Sequence, residues 1–315
     1  MTRLAVKDTE GNQRAQRDAQ RRPSFASFFV ASVLFLCVLV SEVAAAPQPP
    51  AFSTKIESVR VDVLVTEGGK VVQGLAATDF DVSDNGVPQQ VDLVSFEQIP
   101  LNVILALDMS DSVAGERLAQ LQDAGGAVLA GLTKDDQAAL VTFSNFVSLA
   151  APLSGRVADT RRALDDAYGF GATSLVDGVY AAMQVGESDA GRALLMVFSD
   201  GLDTSSWLAA DAVLDAARRS DAVAYSAAIG EGAGSSFLRE LSALTGGTLY
   251  KIESTRDLRT TFVRILEEFR HRYLISYSPR GVPQSGWHRL DVKVKNRRAT
   301  IKARPGYLAG STPLP

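Results

Sequence analysis

Six short apolar runs, each long enough for one buried strand and too short for a buried helix, constrain this chain most. They cover residues 103–107, 138–143, 147–150, 193–198, 223–229 and 248–252. Between them lie stretches with helical spacing. Leu118, Leu121, Val128, Leu129 and Leu132 fall on one face, and similar patterns cover 157–168, 175–185, 207–219, 237–244 and 258–269. Strands that are apolar throughout must be covered on both sides, and helices of this length can do it. The pattern therefore predicts an α/β fold with a doubly wound, mostly parallel, Rossmann-like sheet.

The flanks read differently. Ile56, Val59, Val61, Val63 and Val65 alternate with polar residues, which predicts a half-buried strand over 56–66. A turn at 67–70, a strand at 80–83, a tight Asp-Asn-Gly turn at 84–86 that favours positive φ, and a strand over 89–96 follow. About 45 residues make a thin core. Strands are also predicted at 274–277, 289–294 and 299–303. Pairing of the two flanks would give one small, sandwich-like β-rich domain interrupted by the α/β domain. The expected division is a signal peptide at 1–46, a Pro-rich linker at 47–54, the first β part at 55–98, the α/β domain at 99–272, the second β part at 273–308 and a tail at 309–315.

The N-terminus predicts export. Arg14, Arg17, Arg21 and Arg22 precede an apolar run at 25–40, and Ala44, Ala45 and Ala46 follow as a cleavage region. The run is shorter than the roughly 20 residues of a spanning helix, so no membrane insertion of the mature chain is expected, with an uncleaved anchor as the alternative. The destination is periplasmic or extracellular. The single cysteine, Cys37, lies in that run and follows Leu36 rather than a small residue, which argues against lipidation. Beyond residue 46 the chain holds 26 basic and 32 acidic groups, a net charge of −6, which argues against a nucleic-acid partner.

The run Asp-Met-Ser-Asp-Ser at 108–112 directly follows the first apolar strand and precedes a helix. In a doubly wound sheet of order 3-2-1-4-5-6, ligands bind where the order reverses, between strands one and four. The first strand ends at Asp108 and the fourth at Asp200, so topology brings these carboxylates to one crevice. Ser110 and Ser112 can aim two hydroxyls at one point, and Thr173, in a Gly-Ala-Thr loop, can add a third oxygen. A hard divalent cation wants such oxygens in near-octahedral array and tends to keep water. Asp108 and Asp200 would balance its charge through bound waters. Neutral hydroxyls leave the ion electrophilic, with a position open for a partner's carboxylate.

Together, Asp108, Ser110, Ser112, Thr173 and Asp200 resemble the metal-ion-dependent adhesion site of von Willebrand factor A (VWA) domains, over roughly residues 100–270. The wider chain resembles a bacterial group of exported VWA-related proteins. It shares with them the segment 59–96, with its Asp-Phe and Asp-Asn-Gly landmarks, and the closing Ala-Arg-Pro-Gly-Tyr at 303–307. The resemblance implies a non-enzymatic adhesion or protein-interaction module that holds Mg2+ (alternatives Mn2+ or Ca2+) and binds a protein partner offering Asp or Glu. Many members carry Gly between the two serines. Asp111 stands there in this chain and is expected to point outward, toward the first turn of the following helix.

Each motif has a plainer reading. Asp and Ser are common helix caps, and Asp-Gly is a common turn. It is their convergence on one crevice that favours a metal. His271, His288, Trp207 and Trp287 read as structural or packing residues, and the Asp135–Asp136 pair as a solvated turn. Competing functions are an envelope scaffold whose metal only orders loops, and a metal-dependent phosphohydrolase. The latter would want a second Asp where Ser110 stands. A serine hydrolase would want a Gly-x-Ser-x-Gly elbow, which the chain lacks.

Overall fold

The computed structural model describes residues 58–96, 99–189, 191–199, 202–230 and 235–310. The chain divides into two units, Met1–Lys55 and Ile56–Pro315. The expected signal and linker lie outside the described residues, as does the tail beyond residue 310.

In the second unit, β6 (Leu101–Asp108), β7 (Gln137–Phe143), β8 (Val147–Ser154), β9 (Arg192–Ser199), β10 (Val223–Ile229) and β11 (Leu249–Ile252) form one sheet. Its order is β11-β10-β9-β6-β7-β8, which in these six strands is the expected 3-2-1-4-5-6. All neighbours are parallel except β8, which returns antiparallel to β7. Every residue of β6 and β9 is buried, as a central strand covered on both faces requires.

Alternate side chains of β6 feed two separate cores. Val103, Leu105 and Leu107 pack with helices α1 (Glu116–Ala130), α2 (Val157–Asp165) and α6 (Leu258–Arg270), through Leu121, Leu164 and Phe262 among others. Ile104 and Ala106 pack on the other face with α3 (Leu175–Gly186), α4 (Ala210–Ala217) and α5 (Ser236–Thr245). The α4 helix starts three residues later than its apolar pattern suggests, and α2 ends three residues earlier. Trp207 and Tyr168 consequently stand in loops.

The flanking segments build two further sheets. One has the order β14-β1-β12-β5, from β14 (Thr300–Lys302), β1 (Val59–Glu67), β12 (Tyr273–Tyr277) and β5 (Leu93–Ser95), with β2 (Lys70–Val71) added to β1. The other has the order β15-β13-β3-β4, from β15 (Gly306–Ala309), β13 (Gly286–Val294), β3 (Phe80–Asp84) and β4 (Val87–Gln89). Their inner faces share one core, in which Val61, Val63 and Ile275 meet Phe80, Val82 and Val292. Both sheets mix strands from before and after the α/β layer, so a β-rich sandwich formed by the two flanks carries the α/β layer as an insertion. Asn85 (φ 48°) and Gly86 (φ 81°) make the expected positive-φ turn between β3 and β4.

Charged groups join the two parts. Arg272, between α6 and β12, is fully buried and donates to the Tyr225 hydroxyl and the Gly246 carbonyl, each at 2.7 Å. Glu268 accepts from Tyr225 (2.6 Å), Tyr250 (3.0 Å) and Lys302 (2.8 Å). Burial opposes its charge, but Lys302, Tyr225 and the Arg272 guanidinium hold its carboxyl below the usual range. Burial and that carboxylate push the Tyr250 hydroxyl up to about 12. Arg192 pairs with Asp62 across the same junction.

Two assignments change. Trp207 is 95% exposed and is not a packing residue, whereas the half-exposed Trp287 packs its indole over Gly306, where a Cβ would lie 2.4 Å from the ring. Asp136 is buried and accepts from the amides of Leu101 (2.9 Å) and Thr133 (2.7 Å) and from Arg270 (2.7 Å). It is an anchor, not a solvated turn. His288 is structural, buried against Asp84 at 2.7 Å, and Tyr277 and Tyr307 donate to the same carboxylate.

Candidate functional site

The site follows from how the ends of β6 and β9 meet. Asp108 is the last residue of β6 and is fully buried. Its Oδ1 accepts from the Ser110 amide at 2.9 Å, which turns the chain sharply out of the strand. Its Oδ2 accepts from the hydroxyl of Ser199, the last residue of β9, at 2.7 Å. One carboxylate thus ties together the two strands that flank the order reversal. Asp200 and Gly201 lie outside the described residues.

Beyond the turn, residues Asp111–Val113 form a single 3-10 turn before α1. It brings the Ser110 and Ser112 hydroxyls to 2.9 Å from each other. Ser110 is buried and Ser112 exposed, so the pair opens from the sheet end toward solvent. Asp111 is exposed.

Thr173 comes from the loop between α2 and α3, which is fastened to the serine loop by backbone bonds. The Phe170 amide donates to the Met109 carbonyl (2.8 Å), and the Asp111 amide to the Gly171 carbonyl (3.0 Å). Asn145, in the β7–β8 turn, accepts from the Ala172 amide at 2.6 Å. Gly171 sits at φ +74°, and a Cβ there would lie 2.4 Å from the Asn145 side chain. The position therefore requires glycine both for its backbone and for its neighbour. The Thr173 carbonyl accepts from the amides of Thr204 (2.9 Å) and Ser205 (3.1 Å), and the Thr173 amide donates to the Thr204 hydroxyl (2.9 Å). Among the described residues the Thr173 hydroxyl makes no hydrogen bond, which leaves it available to a ligand.

The sequence reading did not single out Ser199, Thr204, Asn145 or Asp177. The Asp177 carboxylate accepts from the amides of Trp207 and Leu208, both at 2.9 Å, and so holds the loop after β9. Local sequence offered no signal for these, because each acts on a loop distant in the chain.

The donor set can be tested against a cation. Octahedral ligands at 2.0–2.1 Å from Mg2+ lie about 2.9 Å from their cis neighbours. The Ser110–Ser112 separation has that value, and the same distance also serves an ordinary hydroxyl hydrogen bond. Among the described residues no group of three or more His, Cys, Asp and Glu is placed to hold a metal.

The sequence profile of the von Willebrand factor type A domain matches residues 102–264. Comparison with curated proteins finds no match. Among solved structures, a von Willebrand factor type A protein from Catenulispora acidiphila is similar, with a TM-score of 0.52 at 14% identity, over 76% of this chain and 74% of that one. Proximal thread matrix protein 1 from the mussel byssus, solved with a zinc-occupied MIDAS motif, gives a TM-score of 0.51 at 15% identity, over 59% of this chain and 49% of that one. This chain therefore spans about half of the mussel protein. At such identities the likeness shows the fold. Domains with this fold commonly mediate protein–protein interaction. From the profile match over half its length, the chain belongs to the von Willebrand factor type A domain family.

Proposed function

We propose that this chain is an exported, non-enzymatic interaction module that grips the carboxylate of a protein partner through one divalent cation. Ser110, Ser112 and Thr173 would hold the ion directly, and Asp108 and Asp200 would balance its charge through bound water. The bound cation would supply an electrophilic, open coordination position. The chain's own residues supply the rest. Asp108 orients the serine loop through the Ser110 amide and ties it to β9 through Ser199. The amides of Thr204 and Ser205 hold the Thr173 carbonyl, which leaves that hydroxyl to face the ion.

The observation that carries this reading is the Ser110–Ser112 hydroxyl pair at 2.9 Å, at the end of the central strand and laced to the Thr173 loop. Mg2+ is the expected ion, with Mn2+ or Ca2+ as alternatives, since neutral hydroxyls and carboxylates suit hard cations. Export is supported by the basic N-terminus, its short apolar run and the alanines that follow. Among the described residues no helix is long and apolar enough to cross a membrane.

Isothermal titration tests the site. The account expects Mg2+ or Mn2+ to bind once per chain, and Asp108→Ala and Ser110→Ala each to abolish it. Unchanged binding in both variants would reject the assignment.

A further inference from the structure

Nine large apolar side chains are exposed among the described residues, and five of them crowd one end of the molecule. Phe146 (59% exposed), Tyr168 (68%), Leu202 (59%), Trp207 (95%) and Leu208 (40%) all stand in loops at the carboxyl end of the central sheet. Scattered single exposures need no explanation, but a cluster beside a candidate site does.

On the β8 side the cluster is concave. Met109, Phe146, Ala150, Ala167, Tyr168 and Phe170 form the apolar part of a hollow of about 390 Å³, whose wall also carries Thr142, Ser144, Ser148 and Asp166. Phe170 stacks on Tyr168 (centroids 5.2 Å apart) and meets Phe146 at 5.5 Å. The buried Met109 lies in its wall, fixed by its amide to the Phe143 carbonyl and by its carbonyl to the Phe170 amide. The next residue is Ser110. Met109 in the wall of the hollow and Ser110 of the hydroxyl pair are therefore neighbours in the chain.

The opposite shoulder is the loop that carries Trp207. Its exposure does not come from a loose loop, because Asp177 holds the amides of both Trp207 and Leu208. A solvent-facing tryptophan with an anchored backbone, at the same end of the sheet as an aromatic hollow, has the make-up of an interface anchor region. Asp111 on the serine loop, Asp166 before Tyr168 and Asp203 after Leu202 are exposed, and the exposed Arg117 donates to the Ser112 carbonyl at 3.0 Å, so the rim carries charges of both signs.

We infer that the hollow between Phe146, Tyr168 and Phe170 is a side-chain pocket for the partner's segment, which carries one acidic residue with Phe, Trp, Leu or Met within two positions. In an extended segment successive residues advance about 3.3 Å, so a neighbour at one or two positions reaches the hollow while the carboxylate reaches the ion. This rests on the proposed metal-mediated interaction, and its test separates the two.

The probe is a displayed heptapeptide library with a fixed central Glu, selected on the full-length chain in Mg2+. Apolar-flanked peptides should be enriched about tenfold over Gly- and Ser-flanked ones, the scale expected for burying one large side chain. Ala150→Trp, which fills the hollow from an exposed position, should erase that preference and leave Mg2+ titration unchanged. Tyr168→Ser should weaken it from the exposed rim without entering the fold's core. Enrichment of Glu peptides with no flank preference would overturn the pocket while the metal reading stands. The same holds if no peptide is enriched although Mg2+ binds. Capture of phosphatidylglycerol vesicles without peptide selection would overturn it in favour of a lipid surface. Absence of Mg2+ binding would instead remove the reading beneath it.

Discussion

Replacing Gly171 by alanine tests the geometry of the site without touching any proposed ligand. Two costs follow from the structure. Alanine at φ +74° costs about 1–2 kcal/mol over glycine. Its Cβ would also lie 2.4 Å from Asn145 Nδ2 and 2.6 Å from Oδ1, so Asn145 must move and give up its bond to the Ala172 amide. That bond contributes about 1 kcal/mol. The sum is about 2–3 kcal/mol, or a fall in Tm of roughly 4–12 °C for a protein of this size. The Gly171 carbonyl also accepts from Asp111, and Thr173 is two residues on, so Mg2+ affinity should fall about tenfold or more. Differential scanning calorimetry and titration of Gly171→Ala, Asn145→Ala and the double variant measure the parts. In the Asn145→Ala background the clash is gone, so adding Gly171→Ala should cost only the backbone part, a coupling of about 1 kcal/mol. Equal costs in both backgrounds, or a native Tm for Gly171→Ala, would refute the reasoning.

Asp136 should make the protein acid-sensitive. Burial alone would raise its carboxyl, but the amides of Leu101 and Thr133 and the Arg270 guanidinium hold it below the ordinary value. A lowered folded-state pKa contributes stability above the unfolded value of about 3.9, and that stability is lost as pH falls through the folded one. Asp136→Asn should therefore cost about 1–3 kcal/mol at pH 7 and show a smaller further loss below pH 4 than the parent, by urea unfolding. Arg272→Met should cost about 3–5 kcal/mol, because it strips a buried cation from Glu268, the Tyr225 hydroxyl and the Gly246 carbonyl; a change below 1 kcal/mol in chemical unfolding would contradict this. Trp207→Ser should change unfolding free energy by no more than about 0.5 kcal/mol while removing the more readily quenched of the two tryptophan emissions, given exposures of 95% and 42%.

The central strands were readable because burial on both faces leaves an unbroken apolar run, as in β6 and β9, and that signal is local; their order followed from the doubly wound template. The β strands of the flanks were readable from alternation, the mark of burial on one face, as in β1 and β13. What escaped was set by distant contacts. The stretch at 89–96 looks like one strand, yet Gln89 pairs with Val82 in one sheet and residues 93–95 pair with β12 in the other. The β15 strand hides behind Pro305 and Gly306 and is recruited by β13. Asp136 looks like a turn residue until Leu101 and Arg270, far away in sequence, arrive at its oxygens. Trp207 carries a helical pattern, but Asp177 captures its amide and that of Leu208, and α4 begins only at Ala210. At the site, the serine pair was legible as a motif; the lacing by Asn145, Ser199 and Thr204 was not, since each reaches across to a loop from another part of the chain.

Anomalous scattering from Mn2+-soaked crystals tests the central claim most directly. One peak should lie within coordination distance of both the Ser110 and Ser112 hydroxyls, close to Thr173. A map with no peak between those oxygens, or with its only strong peak elsewhere on the protein, would contradict it.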